Sequence, residues 1–361
     1  MSVALASIAQ PRSHAARARG LVMFLAVGFV FLVVLPAALS DFRLGLLAKY
    51  LCFAIVAVGI DLAWGYGGML TLGQGLFFGL GAYAMGMYLK LHEAGPGQLP
   101  DFMSWSGVSK LPVLWTPFRS PVFALAAAIV VPVVVAVLLG MLVFRRRVRG
   151  AYFAILSQAL AAAFVILLVG EQGLTGGTNG LTNMHEIFGY DLSKPRTQHM
   201  LYLAAAIALG AAYLVARQLV ASRFGRLLIA VRDGEDRVRF LGYNPATVKI
   251  IAFATSAGMA GLAGALFVPI VGIVSPTQLG IVPSIEMVIW VALGGRATLV
   301  GAVAGAIAVN SAKTGLSEQF PSGWLYLQGL LFVVVIAFVP RGLAGVKDVA
   351  ALLGRRRSVA A

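Results

Sequence analysis

Long apolar runs follow one another along almost the whole chain, and polar residues gather between them. A helix that crosses a bilayer needs about 20 apolar residues. Residues 21–39 form the first such run, 46–64 the second, and the glycine-studded 69–89 the third. Residues 122–144, 151–170, 201–216 and 250–270 follow, then 285–312 and 324–339. The third run opens just after a break at Gly67-Gly68, and 285–312 is interrupted at Gly294-Gly295. Pro132 marks an expected kink in the run 122–144. The pattern predicts an all-α, polytopic transmembrane helix bundle of about nine or ten membrane segments, with broken or re-entrant helices at the two Gly-Gly positions.

The polar intervals divide by charge. Residues 1–20, the run Arg145-Arg146-Arg147-Val148-Arg149, residues 217–249 and the tail ending at Arg355-Arg356-Arg357 are all basic. Short basic loops stay in the cytoplasm. The intervals 90–120 and 171–199 are nearly charge-balanced and fall on the other side. Keeping both termini cytoplasmic requires an even number of membrane segments, which splitting 285–312 at Gly294-Gly295 supplies. The expected organisation is a cytoplasmic basic N-terminus over 1–20, a membrane domain over 21–345, and a cytoplasmic tail over 346–361.

Composition agrees with this pattern. The 361 residues are 60% hydrophobic and 11% charged, against roughly 25% charged in soluble domains. The net charge of +15 sits in short runs beside apolar spans, so it encodes orientation rather than nucleic-acid binding. The single cysteine, Cys52, rules out an internal disulfide. Four histidines lie outside the spans with no ligand-like spacing, so no metal site is expected. Lys313-Thr314 lacks the glycine that a phosphate-binding loop requires before its lysine, so the chain carries no nucleotide site of its own. Asp61 and Glu286 are the chief acids within spans, thin support for an ion-coupled carrier.

Residues 217–249 are the most informative stretch. Leu227, Leu228, Val231, Val238 and Leu241 recur near helical spacing, punctuated by Gly225, Gly234 and Gly242. Asp233, Glu235 and Asp236 interleave with the arginines. Two short amphipathic helices are predicted. A loop that only fixes orientation needs neither an apolar stripe nor carboxylates; a surface that docks a soluble partner uses both.

The two breaks also share the wording GG-x-x-TL, at Gly67-Gly68-Met69-Leu70-Thr71-Leu72 and Gly294-Gly295-Arg296-Ala297-Thr298-Leu299. Paired breaks in two halves of a transporter often flank its pathway; chance and helix packing remain the alternative. Thr71, Gln74, Thr298 and Glu286 are the polar groups nearest the breaks. Each has a second reading. The threonines bond back to their own helix, Gln74 ties helices together, and Glu286 caps a helix N-terminus after Pro283-Ser284.

Several stretches together resemble the permease subunits of ATP-binding-cassette importers, in the branched-chain amino acid/urea permease family. They are Trp64-Gly65-Tyr66-Gly67-Gly68-Met69-Leu70-Thr71-Leu72-Gly73-Gln74-Gly75, Gly177-Thr178-Asn179-Gly180-Leu181-Thr182, Gly225-Arg226 through Arg232-Asp233-Gly234-Glu235 to Leu241-Gly242-Tyr243, Ala260-Gly261-Leu262-Ala263-Gly264-Ala265-Leu266, and Ser284-Ile285-Glu286-Met287 through Gly294-Gly295 to Gly301. The resemblance covers about residues 45–345. The wordings Arg237-Val238-Arg239-Phe240-Leu241-Gly242-Tyr243 and Ser284-Ile285-Glu286-Met287-Val288-Ile289-Trp290 are most similar to the urea-type subunit.

The resemblance implies a multi-pass subunit of the bacterial inner membrane that is not itself an enzyme. It implies two ATP-binding subunits, which use ATP and Mg, a second homologous permease, membrane lipid around the spans, and a periplasmic substrate-binding protein. This chain would bind no cofactor. ATPase coupling would fall to Arg226, Leu227, Val231, Asp233, Glu235, Asp236, Leu241 and Gly242. Asp236 through Gly242 keeps the acid-to-glycine spacing of the family's coupling loop, with Asp for Glu and Arg-Val for Ala-Ala. Urea or a small amide is the expected cargo; a branched-chain amino acid is the alternative, and a stand-alone channel or ion-coupled carrier is the alternative of another class.

Overall fold

A computed structural model describes residues 26–319 except 96 and 149, with a few isolated positions outside that range. The basic N-terminus, the run 324–339 and the C-terminal tail lie outside the described residues. Helices account for most of the described residues; apart from short ones at 101–105, 113–119, 172–175 and 276–278, ten are longer. They are α1 (Ala26–Ala38), α2 (Asp41–Ile60, continued by a π-helical turn Asp61–Tyr66), α3 (Gln74–Ala94), α4 (Pro121–Phe144) and α5 (Ala151–Gly170). After these come α6 (Pro195–Ala221), α7 (Arg223–Phe240), α8 (Pro245–Val271), α9 (Ile281–Gly294) and α10 (Leu299–Gln319). A two-residue antiparallel pair, Glu186–Ile187 with Tyr190–Asp191, is the only sheet among the described residues.

Seven of these helices are long and apolar enough to cross a membrane: α2, α4, α5, α6, α8, α9 with its preceding turn, and α10. The protein is an all-α polytopic bundle. Its centre is α8, which packs against α3, α4 and α2. Backbones approach closely there because glycines face one another. A Cβ on Gly81 would lie 2.0 Å from the Gly261 carbonyl oxygen, and one on Gly264 would lie 2.0 Å from that of Phe78. Only hydrogen fits in such a seam. The outer helices differ: α4 exposes Val122, Phe123, Leu125, Val130 and Leu138, bulky apolar groups suited to lipid.

α3 is the most enclosed helix although it is less apolar than its neighbours, and its start departs from the expectation. The run 69–89 predicted a span from Met69, but the helix begins at Gln74. Residues 69–73 form a non-helical link, tied where the Leu72 N–H donates to Ser157 Oγ at 3.1 Å. Gln74 Nε2 donates to Ser256 Oγ at 3.0 Å and to the Ser256 carbonyl at 3.2 Å. Ser256 is the twelfth residue of α8, so Gln74 lies about 17 Å along that helix, near the middle of a ~30 Å hydrocarbon layer. The Gly75 N–H donates to Ser284 Oγ at 3.1 Å, which brings α9 to the same level.

Candidate functional site

The polar stretch 217–249 folds as one exposed structure between α6 and α8. Ser222 caps α7, its hydroxyl accepting from the Phe224 and Gly225 N–H groups. Gly234, with φ −169° and ψ 70°, interrupts the helix and divides it into two short amphipathic halves. Leu228, Val231 and Val238 turn into the bundle. Asn244 caps α8 by accepting from the Ala246 N–H at 3.0 Å.

The expected coupling residues separate into two groups. Val231 is buried against its own chain and Leu227 is half-buried. Glu235 is also turned inward: it pairs with Lys249 at 2.6 Å and Arg239 at 3.3 Å and is only 11% exposed. Arg226, Asp233, Asp236, Leu241 and Gly242 are exposed. Asp233 holds the Arg232 Nε at 2.8 Å, and Asp236 holds Arg239 at 3.4 Å. Gly242 has φ +86°, a left-handed conformation that favours glycine. Phe240, 91% exposed, and Tyr243 stand beside Leu241. In the sequence both aromatics stood only within the wording Arg237 to Tyr243, with no coupling role.

In the sequence Arg232 counted as one basic residue among several and as part of a stretch that carries the family resemblance. In the structure its Nη1 donates to the Gly65 carbonyl at 2.7 Å, and its stem lies against Gly68, where a Cβ would be 2.7 Å from Arg232 Cγ. α7 is thereby latched to the first break. A cleft of about 270 Å³ opens here, lined by Gly67, Gly68, Arg232, Glu235 and Lys249 among others.

The two breaks lie against each other. At the first, the π-helical turn ends at Tyr66 and Gly68 takes φ +71°. At the second, Gly295 has φ +113° and Ala297 φ +58°. Asp61 joins them: its Oδ1 accepts from the Ala297 N–H at 2.7 Å. A Cβ on Gly65 would sit 2.5 Å from that same nitrogen. The Arg296 guanidinium lies over the Trp64 ring, 4.3 Å from its centroid. Asp61 is wholly buried and its Oδ2 has no partner among the described residues.

The expected pathway residues do not form one group. Thr71 is wholly buried, its Oγ1 accepting from the Gly73 N–H at 3.5 Å. Gln74 is wholly buried at the α3–α8 contact. Thr298 donates to the Gly295 carbonyl within its own break. Glu286 is not a cap, because α9 begins five residues earlier at Ile281. Both its oxygens accept from Lys313 Nζ at 2.8 Å. Lys313 and Lys49 thus join Asp61 and Glu286 as charges inside spans. The sequence signal for both was a lysine within or beside an apolar run. No group of three or more metal-ligating side chains occurs among the described residues.

Comparison with known proteins places the chain in a family. The high-affinity branched-chain amino acid transport system permease protein LivM of Escherichia coli (strain K12) is 27% identical over 343 residues, covering 89% of this chain and 74% of the relative. LivM of Salmonella typhimurium matches to the same extent. The autoinducer 2 import system permease protein LsrC of Salmonella paratyphi B is 33% identical over 137 residues, 35% of this chain and 39% of the relative. No solved structure matches. The family described as branched-chain amino acid transport system / permease component matches residues 42–339, and the chain belongs to it.

Proposed function

We propose that this chain is a membrane-spanning subunit of an ATP-driven importer and that it carries an amino acid with an apolar side chain. The names of the LivM relatives speak for branched-chain amino acids. None of them names urea or an amide, the cargo suggested by the wording at 237–243. Two ATP-binding subunits using ATP and Mg, a second permease and a periplasmic binding protein complete the proposed assembly in the inner membrane.

The observation that carries this reading is the latch between α7 and the first break. The end of α7 and the turn after it offer an ATPase the exposed apolar trio Phe240, Leu241 and Tyr243, with Arg226 and Asp236 on the same segment. Movement of α7 pulls on the Gly65 carbonyl through Arg232. Asp61 passes that movement to Ala297 at the second break. Helices on both sides of the mid-membrane contact at Gln74, Gly75 and Ser284 are then shifted together.

The test is uptake by the complete transporter carrying Arg232→Ala. A charge-assisted hydrogen bond contributes about 1.5–3 kcal/mol, so uptake is expected to fall about tenfold or more while the complex still assembles. Arg232→Lys, which keeps the charge and loses the planar fork, is expected to be intermediate. Full uptake in Arg232→Ala would remove the latch from the mechanism.

A further inference from the structure

A second charged group lies inside the membrane layer, away from the two breaks. Lys313 is the fifteenth residue of α10, about 21 Å along that helix, and it holds both oxygens of Glu286 on α9. The next residue, Thr314, hydrogen-bonds through its hydroxyl with the Tyr50 hydroxyl on α2. That contact ties α2 to α10 at the level of Lys313. Lys49 lies one turn before Phe53, whose ring centroid is 4.9 Å from that of Trp290, one turn after Glu286 on α9, so Lys49 and Glu286 stand on the facing sides of α2 and α9. The Lys49 ammonium also stands 5.9 Å from the Phe53 ring centroid. Among the described residues Lys49 makes no ion pair, so two ammoniums answer one carboxylate.

A charge at this depth faces the bundle interior or an aqueous cavity, because contact with lipid is too costly. Lys313 is 37% exposed, and the exposed face of α10 beside it carries Ser311, Ala312 and Gly315. That face is made of small residues, one of them a serine, unlike the bulky lipid-suited face of α4.

We infer that Lys49, Glu286 and Lys313 form a station on the transport path that binds a zwitterion. The ammonium left unmatched takes the carboxylate of a passing amino acid, and the Glu286 carboxylate takes its ammonium. This inference rests on the amino-acid reading above, since a neutral amide has neither charge. The opposing account is a purely structural ion pair that holds α9 to α10.

The experiment is uptake of labelled L-leucine into liposomes containing the complete transporter, with assembly checked by co-purification. Lys49→Gln is expected to lower uptake about tenfold or more, the scale of one charge-assisted contact, with the complex assembled. Lys49→Arg is expected to keep most of it. Reversing the pair, Glu286→Lys with Lys313→Glu, restores attraction between the helices but places the charges wrongly for the solute, so assembly without uptake is expected. Undiminished uptake in Lys49→Gln, or restored uptake in the reversed pair, overturns the station and leaves the amino-acid reading intact. A wild-type complex that takes up labelled urea and no leucine overturns that reading, and the station with it.

Discussion

Asp61 holds the second break with one carboxylate oxygen and keeps the other buried without a described partner. Its bond fixes Ala297, whose φ of +58° costs a residue with a side chain roughly 1–2 kcal/mol. Removing the acceptor also strands a half-buried N–H, a loss of about 1 kcal/mol. Asp61→Leu is therefore expected to lower the thermal midpoint of the purified complex and its uptake together. Asp61→Asn keeps an acceptor oxygen and is expected to be much milder; equal damage from both substitutions would mean the hydrogen bond is not what matters. Residue-level chemistry was only partly legible in the sequence. The acids Asp61 and Glu286 stood out in apolar runs, but their partners are 236 and 27 residues away and no spacing rule reaches them. Lys313 was weighed only as a phosphate-loop lysine and not as a charge inside a span, because it falls one residue beyond the apolar run 285–312, whereas α10 remains helical to Gln319.

Among the elements, the contact of α3 with α8 governs where everything else can sit. The run 69–89 announced a helix, yet its first residues are held as a link by Ser157 and by the close approach of Gly73 to the Ser157 carbonyl. Hydropathy reports burial and is silent on such a tether, which is why the start of α3 was misjudged by five residues. The two halves of α7 were legible because glycine and helical periodicity mark them locally. Their inward and outward faces were not, since Glu235 is drawn in by Lys249 from the following helix. The glycine seam gives a direct test. Gly264→Leu places side-chain atoms where the Phe78 backbone already lies, and is expected to abolish recovery of assembled complex. Gly210→Leu, on α6 with open space around it, is expected to assemble normally. Normal assembly of the Gly264→Leu protein would show that α3 and α8 are further apart than described.

For the molecule as a whole, the charge pattern and the helix packing give the same division into two sides. Arg145, Arg146 and Arg147 follow α4, whose last residue Phe144 lies under Lys249, and Lys249 pairs with Glu235 of α7. The basic intervals 145–149 and 217–249 therefore share one side, as their composition implied. At the opposite end of α3, Lys90 pairs with Asp101, and Glu93 meets His185 beside the short strand pair. That joins the two charge-balanced intervals. Orientation follows if the arginine side is cytoplasmic, and the chain offers a clean way to measure it. Cys52 is wholly buried, so the wild-type protein should take up no membrane-impermeant thiol reagent, and single cysteines can be introduced against that background. Tyr190 and Arg146 are both exposed, on opposite sides. Tyr190→Cys is expected to label in intact spheroplasts, and Arg146→Cys only after the membrane is opened. The reverse pattern would invert the whole molecule and leave α7 on the wrong side to meet an ATPase. Ser358→Cys in the basic tail reads the remaining crossing: labelling only after the membrane is opened keeps the tail with the arginines, as an even number of segments demands. Labelling in intact spheroplasts would mean that the run 324–339 ends on the side of Tyr190, and that the reversal at Gly294-Gly295 is not matched by a final return.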